Sequence, residues 1–167
     1  LTVSDFIGGG IGGNNKDLLG WAKVYIKGGE ISGRILMSAS KSGGCVFNMT
    51  GGTLTSPITD KPGGAVYMID PKGVATMSGG TISNCTGTNG GAIYMSGGTF
   101  VISGGTISNC TGTNCGAVYM EGGTFDISGT ANMQNNDATN GGAVYLAGTG
   151  AFNVNGGSIQ QNRVTQH

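Results

Sequence analysis

Apolar residues in this chain come in short alternating bursts, not in helical periods or continuous runs. Thr81-Ile82-Ser83, Ala92-Ile93-Tyr94-Met95 and Phe100-Val101-Ile102 alternate side chains about the backbone, and Gly-Gly pairs separate them. Period-two alternation with β-branched and aromatic residues predicts strands, and the glycine pairs predict tight turns between them. The whole phrase then returns. Ser78 to Asn89 is copied letter for letter from Ser103 to Asn114, a period of 25 residues. Each copy leads into a near-copied strand, Gly90-Gly91-Ala92-Ile93-Tyr94-Met95 and then Cys115-Gly116-Ala117-Val118-Tyr119-Met120. A fixed period of this length is the mark of a repeat architecture.

Three short strands per period cannot bury a face alone, so each repeat must stack on its neighbours. The expected fold is all-β: a right-handed parallel β-helix, or β-solenoid, of about 25 residues per coil and roughly six coils, about 30 Å long at the strand spacing. The Gly-Gly-Ala-Val-Tyr frame begins at Gly63, Gly90, Cys115 and Gly141, steps of 27, 25 and 26 residues. Two interior columns follow from it, Val66, Ile93, Val118 and Val144, and Ile82, Ile107, Met133 and Ile159. A further column, with no face assigned, runs through Phe100, Phe125 and Phe152. The reading is one domain over residues 1–167, with irregular coils or a cap over 1–40 and regular coils over 41–167. Ile7 to Asn15 is turn-rich and Trp21 is expected to pack in that cap, since an exposed coil end presents open strand edges. Gly43-Gly44-Cys45-Val46-Phe47 reads as a degenerate copy of the Gly-Gly-Ala-Val-Tyr strand.

Alternation places Val/Ile and Met/Leu of that strand inward, with Ala and Tyr outward. All five tyrosines sit in this context, including Tyr25, so Tyr67, Tyr94, Tyr119 and Tyr145 are the candidate ligand-binding residues, as a ladder. Exposed rings flanked by alanine would offer a flat surface for a sugar; a ladder that stacks on itself is the competing expectation.

Composition changes the picture by exclusion. Glycine supplies 36 of 167 residues and charged residues only 10%, too glycine-rich for helices and without the triplets of collagen. The formal net charge is zero, which gives no electrostatic footprint for nucleic acid. No apolar run approaches the roughly 18 to 20 residues of a membrane helix. No cofactor is expected. The start at Leu1, without an initiator methionine, leads us to expect that a leader has been removed.

Gly-Gly-Ala-(Ile/Val), with Met133-Gln134-Asn135-Asn136 before it or Ile159-Gln160-Gln161-Asn162 in the last coil, resembles the paired GGA(I/L/V) and FxxN repeats of the chlamydial polymorphic outer-membrane proteins. The resemblance covers residues 43 to 167, with Ile or Met at the Phe position and Cys85 and Cys110 at the Asn position. It implies a secreted or cell-surface β-helical passenger or adhesin, whose partner is a host or cell-surface glycan or protein.

Cys85 and Cys110 share one column on adjacent coils, within disulfide range, and Cys115 across the next turn competes for the same sulfur. A bridge and free inward thiols both stand at this point. Cys45 reads as a small packed residue. No metal site is expected: His167 is the one histidine, and no Cys-x-x-Cys occurs.

Two other functions compete with a binding module. Polysaccharide-acting enzymes on β-helices need paired carboxylates, or a base beside a cation. Between Gly73 and Asn162 the only charged residues are Glu121, Asp126 and Asp137, and Asp137 should pair with Arg163 one coil on. The cluster of Asp60-Lys61 with Asp70 and Lys72 reads as solvated turns. Ice binding would need two threonine columns. Thr88, Thr113, Thr139 and Thr165 form one, but its partner reads Thr86, Thr111, Asp137, Arg163. Finally, the sequence stops where another Gly-Gly-Ala-Val-Tyr strand is due. Further coils, or a second copy docked head to tail, are the expectation for that end.

Overall fold

In the computed structural model, which describes residues 17–19, 23–38, 44–56 and 58–165, all regular structure is β. Trp21, the Ile7 to Asn15 stretch and His167 lie outside the described residues. Three six-stranded sheets run the length of the described residues, and a four-stranded sheet joins them from Thr86 onward. Consecutive strands of the chain fall in different sheets, and every described pairing is parallel, for example Ile93 on Val118 and Val118 on Val144. The chain is therefore a β-solenoid of about five turns.

Each regular coil visits four sheets. Thr99–Ile102 belongs to a phenylalanine sheet, Thr106–Ser108 to an isoleucine sheet, Thr111–Gly112 to a short fourth sheet and Val118–Met120 to a tyrosine sheet. Three strands per coil were expected. The fourth strand is only two residues long and includes a glycine, so by sequence it is indistinguishable from a turn.

Stacking is like upon like, as the repeats require. Phe100, Phe125 and Phe152 follow one another down the core with ring centroids 5.7 and 5.8 Å apart, and Phe47 reaches Phe100 at 6.2 Å past Ala75, which holds the coil between them. Ile82, Ile107 and Met133 are in register and buried, as are Val66, Ile93 and Val118. Burying such side chains yields roughly 1.5–3 kcal/mol each, which a chain of three-residue strands needs.

The corners explain the Gly-Gly pairs. A Cβ on Gly91 would lie 2.7 Å from the Thr111 backbone, because the corner closes directly against the fourth strand of the next coil. Asn84, Asn109, Asn135 and Gln161 hold the opposite corner at φ of 54 to 55°, left-handed backbone that asparagine tolerates better than most residues.

Three details depart from the sequence reading. Ala65, Ala92 and Ala117 are fully buried, because the chain bends just before each tyrosine strand and turns the alanine inward. Val46–Met49 lies in the phenylalanine sheet, paired with Val74–Met77; the true predecessor of the Val66 strand is Arg34–Met37. Likewise Tyr25 is outside the tyrosine ladder and sits opposite Asn48. The register becomes regular only from Val66 onward.

The two ends differ. Val24, Ile26 and Ile31 in the first described coil are buried, whereas Leu146, Val154, Ile159 and Val164 in the last are 39 to 56% exposed although they continue interior columns.

Candidate functional site

The tyrosine strands place four rings in one outward column. Tyr67, Tyr94, Tyr119 and Tyr145 stack with centroids 5.0, 5.8 and 5.5 Å apart and interplanar angles of 22, 10 and 15°. In-register parallel pairing forces this, since identical side chains on adjacent coils share one rotamer and one spacing. Arg34 closes one end, its guanidinium carbon 4.9 Å from the Tyr67 centroid while Nη1 donates to the Pro62 carbonyl at 2.7 Å. The Tyr94 hydroxyl donates to Glu121 Oε2 at 2.7 Å. Burial, followed by that bond, pushes the Tyr94 phenol well above the ordinary tyrosine range.

This geometry decides what the ladder can offer. A sugar stacks on the face of a ring, and the faces of Tyr94 and Tyr119 are taken by their neighbours. Tyr94 is only 8% exposed, against 37% for Tyr145 at the end of the stack. The self-stacked arrangement is the one present, so the ladder presents ring edges and hydroxyls.

Across the corner from the tyrosine sheet lies the short fourth sheet. Thr86 pairs with Thr111, Thr111 with Asp137 and Asp137 with Arg163, and Arg163 Nε reaches Asp137 Oδ1 at 3.2 Å. Beside them, Thr88, Thr113 and Thr139 are linked coil to coil by backbone hydrogen bonds. Thr59, Thr86, Thr111, Thr113, Thr139 and Thr165 line a hollow of about 300 Å³. Asp137 and Arg163 interrupt one of the two threonine columns that an ice lattice would meet. Between hollow and tyrosines runs an amide ladder: Asn114 Nδ2 donates to Asn89 Oδ1 at 2.8 Å, and Asn140 Nδ2 to Asn114 Oδ1 at 2.9 Å. The sequence repeats Asn89 and Asn114 openly, but neither their ladder nor the part of Thr59 is legible there, because a turn asparagine and a loop threonine carry no signal of their own.

Inside the corner sits a second ladder. Asn136, fully buried, accepts from the Cys110 N–H at 3.0 Å and donates to the Ile107 carbonyl at 3.2 Å and to Asn162 Oδ1 at 2.8 Å. Cys85 and Cys110 occupy this column on the preceding coils. All four cysteines are buried, and none is in a disulfide. Cys115 faces elsewhere, its thiol donating to the Val118 and Ala143 carbonyls at 3.1 and 3.3 Å, and burial raises its pKa to about 12.

Of the charged cluster, Asp60, Lys61 and Lys72 are exposed, and only Asp70 departs from a solvated turn. Asp70 is 2% exposed, not solvated; its carboxylate accepts from the backbone N–H groups of Cys45 at 2.7 Å and Lys72 at 3.0 Å. Desolvation, then the Asp70 carboxylate, raises the Cys45 thiol to about 12. Among the described residues, no three His, Cys, Asp or Glu side chains could hold a metal ion, and no helix is long and apolar enough to cross a membrane. Comparison with protein-family models, curated proteins and solved structures finds no match.

Proposed function

We propose that this chain is a non-catalytic binding module of a secreted or cell-surface protein, and that it holds a neutral glycan along one flank. The observation that carries this is a band of mostly uncharged polar groups that repeats from coil to coil, in which Asp137 and Arg163 pair with each other and Glu121 with the Tyr94 hydroxyl. On successive coils the exterior runs from the threonine hollow, over the Asn89–Asn114–Asn140 amides, to the tyrosine hydroxyls. Hydroxyl, carboxamide and phenol groups on rigid strands match a polyhydroxylated chain, which they engage by paired hydrogen bonds. Repetition at the coil rise of about 4.8 Å multiplies weak contacts along a linear ligand. The resemblance to adhesin-like repeats supports the same reading.

The test is binding to a glycan array and to intact cell surfaces. Wild type should bind, Thr113→Val with Thr139→Val should lose most of that binding at unchanged shape, and Tyr94→Ala with Tyr119→Ala should lose less. Binding that survives the threonine pair removes the flank from the account. Cleavage of any polysaccharide overturns the non-catalytic reading.

A further inference from the structure

The interior ladder is built from two kinds of residue. Asn136 and Asn162 hold the upper coils by amide hydrogen bonds, while thiols occupy the same place on the two coils below. Register fixes that thiol pair from both sides, with Ser83 opposite Ser108 and Thr86 opposite Thr111. The Thr111 N–H donates to the Cys85 carbonyl at 2.9 Å. The Cα separation of such a pair is about 4.8 Å, inside the window of roughly 4.4–6.8 Å for a disulfide. Both thiols donate to the carbonyl two residues back, Ser83 and Ser108, at 3.3 Å. The sulfurs therefore point the same way, and a χ1 rotation of one brings them together.

We propose that Cys85 and Cys110 form a redox-closable rung of the solenoid. Oxidised, they make a coil-to-coil disulfide that replaces, covalently, what the Asn136–Asn162 amide pair does two coils on. The oxidant is a low-molecular-weight disulfide such as oxidised glutathione, which reaches the pair when the coils open locally. When the Cys85 S–H turns from the Ser83 carbonyl to the Cys110 sulfur, that bond, with burial, keeps Cys85 protonated and favours the thiolate at Cys110. Cys110 sulfur attacks one sulfur of oxidised glutathione, whose S–S bond breaks and releases one glutathione thiolate. Cys85 then gives its proton to water, and its sulfur attacks Cys110 in the mixed disulfide, expelling the second glutathione. Two protein thiols lose two electrons and two protons, and one oxidised glutathione becomes two reduced molecules. Excess reduced glutathione reverses the same two exchange steps and reopens the rung.

The experiment equilibrates reduced protein with glutathione buffers of graded ratio, then quenches, denatures, alkylates and maps peptides by mass spectrometry. Expected is one bridge, Cys85 to Cys110, with Cys45 and Cys115 alkylated and protease resistance increased over residues 85–110. Cys85→Ser and Cys110→Asn, a change to the residue that the ladder uses elsewhere, should each abolish the bridge. The proposal is overturned if all four thiols stay alkylatable at every ratio, if Cys115 takes the bridge, or if resistance rises equally in Cys110→Asn.

Discussion

Replacing Asn136 by alanine should cost about 3 kcal/mol of folding stability, although the residue touches no solvent and no proposed ligand. Its carboxamide makes three bonds at once, to the Cys110 N–H, the Ile107 carbonyl and Asn162 Oδ1. Truncation strands the Cys110 N–H inside the core, worth about 1–3 kcal/mol, and loses two donated bonds at about 0.5–1.5 kcal/mol each. Asn136→Cys should cost about half as much, because it keeps volume and its thiol can donate to the Gln134 carbonyl, as Cys110 does to Ser108 at 3.3 Å. Urea unfolding followed by circular dichroism reads both, with ΔΔG taken only if the slope m is unchanged. For a chain of this size the alanine variant should melt about 6–12 °C lower. Equal losses for the two variants, or an alanine loss below about 0.5 kcal/mol, would refute the ladder as a source of stability.

Two further predictions follow from the same geometry. Gly112→Ala should fail to give soluble protein, because its Cβ would collide with the Cys115 carbonyl, whereas Gly28→Ala, with nothing within 4 Å, should fold normally; soluble yield and circular dichroism distinguish them. Tyr94 should ionise above the ordinary value of 10.0. The neutral phenol is favoured by folding, so its stabilisation is full below that value and is lost as pH rises beyond it. Ultraviolet titration should show the late phenol, and Glu121→Gln should bring it down.

The regular part of the fold was legible because the sequence repeats its interior residues. Ile82, Ile107 and Met133 recur at the coil length, and stacking identical coils admits one register. The fourth strand was not legible because Thr86–Gly87 contains too few side chains to alternate. Val46-Phe47 was misplaced because a Gly-Gly-x-Val-aromatic phrase suits any strand that leaves a tight corner; pairing with Val74–Met77 assigns it to another sheet. In the candidate site, the tyrosine column could be read but its accessibility could not. Whether rings stack on one another or face outward depends on the coil spacing and on Arg34 and Glu121, which lie outside the repeated phrase. Asn136 stood out only through the resemblance to FxxN repeats, and its three bonds became visible only with the coils below and above in place.

The most direct test of in-register stacking is dipolar coupling between spin labels on adjacent coils. Labels at Thr99→Cys and Thr124→Cys, in a background with the four native cysteines replaced, occupy directly paired positions of the phenylalanine sheet. The account predicts strong short-range broadening for that pair and clearly weaker broadening for Thr99→Cys with Ala151→Cys, two coils away through Thr124. Equal broadening in both pairs, or none in either, would contradict the solenoid register on which every column described above depends.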